Sequence, residues 1–147
     1  MNRQSVAAQL RLERELQNQL VRITKMVLVW KAGFSNIARK LSTLRLVVDL
    51  LHRHVIRLTA LHPADGYMAY IDRERPELSE RSQVLGRKQR DFRDELSTLV
   101  LRLERLSAEV PSDVDRLCLS LETLLESYEA QSREETELLQ DAELVQA

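Results

Sequence analysis

Residues 78–106 read LSERSQVLGRKQRDFRDELSTLVLRLERL, and their spacing decides the fold. Leu78, Leu85, Phe92, Leu96, Leu99, Leu103 and Leu106 recur at three- and four-residue steps, with Ser82 and Gln89 on the same line between them. Residues three, four and seven apart share one face of a helix, so this stretch predicts one long amphipathic helix with polar groups on its inner face. Three other stretches repeat the pattern. Phe34, Ile37, Leu41, Leu44, Val48, Leu51, Val55 and Leu58 form an unbroken apolar seam. Val114, Leu117, Leu121, Leu124, Tyr128 and Leu138 form another, with Gln131 and Glu135 in its gap. An earlier seam runs Leu16, Leu20, Ile23, Val27, Trp30. Four such seams predict an all-α protein, an up-down-up-down four-helix bundle forming a single domain over 1–147.

The predicted helices run from about Ser5 to Lys31, from about Ser35 to Leu61, from Pro76 to near Ser107, and from Pro111-Ser112-Asp113 to about Glu143. Gly33 breaks the first, and His62-Pro63-Ala64-Asp65-Gly66 ends the second. Residues Tyr67 to Arg75 read as a connector with one or two helical turns.

A chain of 147 residues is long enough to bury a real core. With a net charge of −1, no global field draws it to nucleic acid or anionic lipid. The N-terminal half is richer in Arg and Lys and the C-terminal half in Glu, read as solvated helix faces. No run reaches the roughly 18–20 apolar residues of a membrane span. The N-terminal MNRQSVAAQLRLERE has no apolar stretch of the signal-peptide kind, so a cytoplasmic location is expected. The only cysteine, Cys118, excludes an internal disulfide and reads as a half-buried inert thiol. There is no Gly-rich phosphate loop and no recognisable nucleophile setting, so no enzyme activity is expected.

Polar groups on the seams mark the candidate site. Gln89 and Gln131 point inward at similar heights on antiparallel helices, with Glu135 one turn beyond. His62 closes the end of the second helix one turn past Leu58, and Gln17 borders the first seam. His52 is expected to face out and His54 to flank its seam, both partly exposed. Glutamine is a poor ligand for iron or zinc, so the convergence reads as a hydrogen-bonded plug rather than a working metal site.

The turn ADGYM (Ala64–Met68), the following RPELSERSQVLGRKQRDF (Arg75–Phe92) and the ending EETELLQ (Glu134–Gln140) resemble the hemerythrin-like, HHE cation-binding domains. The resemblance implies a four-helix bundle and, in the family, a non-haem di-iron centre. The family's second-helix His-x-x-x-Glu aligns with Leu58 and His62, and its third-helix His-x-x-x-His with Gln89 and Arg93. Its last-helix His aligns with Gln131 and its first-helix His with Gln17. No expected histidine stands in place, so iron binding is not carried over and no cofactor is expected. The leading expectation is a non-enzymatic bundle that has lost its di-iron centre and serves as a structural, binding or sensing module. A rebuilt metal-binding or oxygen-responsive site using His62, Glu135 and His54 is the first alternative. A helical adaptor or self-associating bundle is the second. A protein partner is compatible with the charged flanks; nucleic acid and membrane are not expected partners, and the chain is expected to be a monomer or homodimer.

Overall fold

The computed structural model describes residues 3–30, 36–60 and 67–144, with side chains for 8–30, 36–59 and 67–144. The protein is all-α. Helices α1 (Arg3–Val29), α2 (Ile37–Ala60), α3 (Tyr67–Glu74), α4 (Ser79–Arg105) and α5 (Pro111–Asp141) follow in order, with no strand among the described residues. Phe34, Ser35, Leu61 and His62 lie outside them. The connector before α4 is the two-turn helix α3. Pro76 opens a turn of 3₁₀ helix, Pro76–Leu78, rather than α4 itself. Pro76 lacks an N–H to donate and suits such a start. Gly86 on α4 lets α3 approach: a Cβ there would meet Met68 Sδ at 3.3 Å.

The helices pack pairwise as α1 on α2, α2 on α4, α4 on α5 and α5 on α1. Cross-links between them run in opposite senses. Lys40, at the start of α2, donates to the carbonyls of Leu28 and Trp30 at the end of α1, both at 2.9 Å. Arg45 donates to Leu103 O at 3.1 Å and Leu106 O at 2.6 Å, at the end of α4. Both cations satisfy carbonyls that a helix C-terminus leaves without intrahelical partners. Lys88 and Arg81 on α4 reach Glu134 and Asp141 on α5.

The expected seams of α2, α4 and α5 are the ones that face inward, apart from half-buried Ile37, Gln89 and Leu106. The seam expected on α1 is not. Leu16, Ile23 and Trp30 are exposed, and Leu20 and Val27 only partly covered. The buried line is Leu10, Gln17, Val21, Thr24 and Leu28. It has the same heptad spacing but poorer apolar content. α1 carries two stripes about 100° apart around the helix, and polar contacts with α2 and α5 accompany burial of the less apolar one.

The core falls into two apolar clusters. The larger includes Val21, Leu44, Leu51, Phe92, Leu96, Leu121 and Tyr128. The smaller holds Leu10, Tyr67, Ile71, Leu78, Leu85, Leu138 and Leu144. A polar layer divides them on three helices at once. On α1, Arg14 and Gln17 stand between Leu10 and Val21. On α4, Gln89 stands between Leu85 and Phe92. On α5, Gln131 and Glu135 stand between Tyr128 and Leu138.

Candidate functional site

Glu135 is the centre of that layer. Its residue is 3 % exposed, yet it carries a carboxylate. An isolated charge at that depth costs several kcal/mol, so it must be neutralised and hydrogen-bonded. Arg14 does both, with Nε on Oε1 at 2.5 Å and Nη2 on Oε2 at 2.8 Å. Tyr67 Oη donates to Oε2 at 2.6 Å, and Gln89 Nε2 donates to the same oxygen at 2.7 Å. Four elements therefore meet on one carboxylate: α1, α3, α4 and α5.

The electrostatics follow from burial. Desolvation alone would weaken the Arg14 cation, but the Glu135 carboxylate outweighs it and holds the guanidinium above its ordinary value. Burial, reinforced by the same carboxylate, pushes the Tyr67 phenol well above its usual 10. Burial also raises Tyr128, whose hydroxyl donates to Asn18 Oδ1 at 2.6 Å and whose ring lies 5.3 Å from that of Phe92.

Beside the carboxylate lies a cavity of about 350 Å³. Its polar lining includes Arg14, Gln17, Tyr67, Gln89, Gln131 and Glu135; its apolar lining includes Val55, Leu58, Met68 and Phe92. Arg90, exposed, and Arg93, half-buried, also line it. Six of the seven residues singled out in the sequence thus surround one space: Gln17, Leu58, Gln89, Arg93, Gln131 and Glu135. The seventh, His62, lies outside the described residues. Their bonding differs from expectation. Gln89 and Gln131 do not pair: Gln89 serves Glu135, and Gln131 Nε2 donates along its own helix to Ser127 Oγ at 3.3 Å. Arg93 bonds the neighbouring Asp94.

The histidines also depart from their expected exposure. His54 is buried, 7 % exposed, and its Nδ1 lies 3.2 Å from Gln17 Oε1. Gln17 Oε1 is an acceptor, so the hydrogen sits on Nδ1, leaving Nε2 buried with no hydrogen-bond partner among the described residues. His52 is half-buried and bonds Ser97 Oγ at 2.8 Å instead of facing out. Cys118 is buried rather than half-buried, and burial raises its thiol.

Sequence reasoning missed two members of the site, Arg14 and Tyr67. For Arg14 a signal existed: it completes the heptad line Leu10, Arg14, Gln17, Val21, Thr24, Leu28. For Tyr67, in a connector, there was none.

These residues do not fit a di-iron centre. Both oxygens of Glu135 are occupied by donors, and a guanidinium stands where a cationic metal would have to sit. Amides line the space where imidazoles would be needed, and among the described residues no three His, Cys, Asp or Glu gather in a way that could hold a metal ion. No helix among the described residues is long and apolar enough to cross a membrane. A scan against protein-family models, a search of curated proteins and a search of solved structures each found no match to the chain.

Proposed function

We propose that this protein is a non-enzymatic, hemerythrin-like up-down-up-down four-helix bundle in which a closed ion pair replaces the di-iron centre, and that it acts as a small-molecule binding or sensing module. The observation that carries the reading is the Glu135 carboxylate saturated by Arg14, Tyr67 and Gln89 at the wall of a cavity of about 350 Å³. Four donors already share its two oxygens, three of them on Oε2, so a metal ion or a substrate proton would have to displace one of them. The cavity beside it is of the size that small ligands occupy. Its mixed lining suits an amphipathic molecule whose polar end meets the Gln17 and Gln131 amides and whose apolar part lies against Val55, Leu58 and Phe92. The pairwise antiparallel packing of the four long helices supports the bundle topology.

The test has two arms. Protein purified with iron present is expected to carry no stoichiometric iron and no oxo-bridged di-iron absorption. A thermal-shift screen of short-chain fatty acids and aromatic carboxylates is expected to find compounds that stabilise the fold, by about 2.7 kcal/mol at a hundred times Kd. Thr59→Phe, which projects a ring into the cavity, should abolish the stabilisation. About two irons per chain, lost on His62→Ala, would restore the family's metal chemistry and overturn the proposal.

A further inference from the structure

The outer side of α1 carries a second heptad seam. Leu12, Leu16, Gln19, Ile23, Met26 and Trp30 follow at steps of four, three, four, three and four. Leu12 and Met26 are 70 % exposed, Ile23 46 % and Trp30 36 %. The line runs about 27 Å along the helix. Leu46 and Leu50 on α2, the neighbouring helix, are exposed as well. Monomeric proteins seldom leave an apolar line of that length open to water.

We propose that this face docks on the same face of a second copy of the chain, α1 against α1, antiparallel about a two-fold axis. The proposal stands apart from the cavity and its ligand. Alternating four- and three-residue spacing fits a partner helix with the same repeat, and α1 itself supplies one. The flanking charges select the direction. Glu15 and Arg22 are both exposed and lie on one edge of the seam, seven residues apart. With the axis between Gln17 and Asn18, Leu12 faces Ile23 and Leu16 faces Gln19, and on the flank Glu15 of each copy lies two residues, about 3 Å along the axis, from Arg22 of the other, within reach of an ion pair. A parallel pairing would set these charges against Leu20 and Val27 instead. A polar residue on an apolar seam, here Gln19, helps to set register at some cost in stability.

Sedimentation velocity on the full chain over a range of concentrations tests this. The expected species has twice the 17.1 kDa chain mass. Ile23→Glu should yield monomer with an unchanged circular dichroism spectrum, because Ile23 lies outside the core. Glu15→Arg should raise the dimer dissociation constant by about tenfold or more, and adding Arg22→Glu should recover most of the loss. Four outcomes would overturn the proposal. They are a monomer at the highest soluble concentration, a dimer that survives Ile23→Glu, a charge swap that recovers nothing, and a monomer that binds anionic phospholipid vesicles with a blue shift of the single tryptophan.

Discussion

Arg14 on α1 and Glu135 on α5, 121 residues apart in the chain, pair two nitrogens on two oxygens inside the helical core. Removing the cation leaves a buried carboxylate with only Tyr67 and Gln89 to solvate it. Arg14→Met is therefore expected to cost about 3–5 kcal/mol, read as a lowered urea midpoint. Arg14→Met with Glu135→Leu should recover most of that loss, because no charge is then stranded. A single-variant cost under about 1 kcal/mol would mean that water reaches the pair.

A leucine at Gln89 looks harmless from sequence alone, since it would complete an apolar seam. The structure changes that expectation. Gln89→Leu removes a donor from the Glu135 carboxylate, at a cost of about 1–3 kcal/mol, while a half-buried position recovers only part of a leucine's burial energy. The variant should be modestly destabilised and less so than Arg14→Met. Because Gln89 and Gln131 have different partners, a double-mutant cycle between them should show coupling within about 0.5 kcal/mol.

His54 makes stability depend on acidity. Burial, then the nearby Arg57, pushes its pKa below the ordinary 6.5, against an opposing pull from Glu13 and with a smaller push from Arg14. The unfolded chain therefore binds this proton first. The stability it confers is complete above about 6.5 and is lost as pH falls through the lower folded value. Urea midpoints measured from pH 7.5 to 5 should fall, and His54→Gln should flatten the slope. An equal slope in the variant would assign it to other groups.

Tyr67 acts at the other end of the scale. Its folded phenol titrates well above 10, so its contribution is intact below that value and is lost as pH rises beyond it. Alkaline titration followed by phenolate absorbance should show Tyr67 and Tyr128 ionising late, after the third tyrosine. Tyr67→Phe should remove one of these two late ionisations and leave the other.

The C-terminus of α5 closes with Glu143 at φ 60°, Leu144 N bonded to Leu139 O at 2.8 Å and Glu143 N to Gln140 O at 3.0 Å. This is the Schellman arrangement, whose left-handed position favours glycine. Glu143→Gly should stabilise the protein by about 1 kcal/mol, seen as a higher thermal midpoint.

Periodicity was enough for α2, α4 and α5, because each carries one dominant apolar line and burial follows hydrophobic area. The same logic places Ser82, Gln89, Gln131 and Glu135 on inward faces. It failed on α1, which offers two lines at the same spacing. Leu16, Ile23 and Trp30 are the more apolar, yet Leu10, Arg14, Gln17, Val21, Thr24 and Leu28 line the inner side. Sequence alone therefore determined the all-α class, the long helical elements and most of the polar layer, since these depend on contacts within a few turns. Tertiary structure decided the rotation of α1, the burial of His54 and the entry of Tyr67. Each depends on a partner distant in the chain: Glu135 for Arg14 and Tyr67, and Gln17 for His54. Local spacing carries no information about which buried charge will be met across the core.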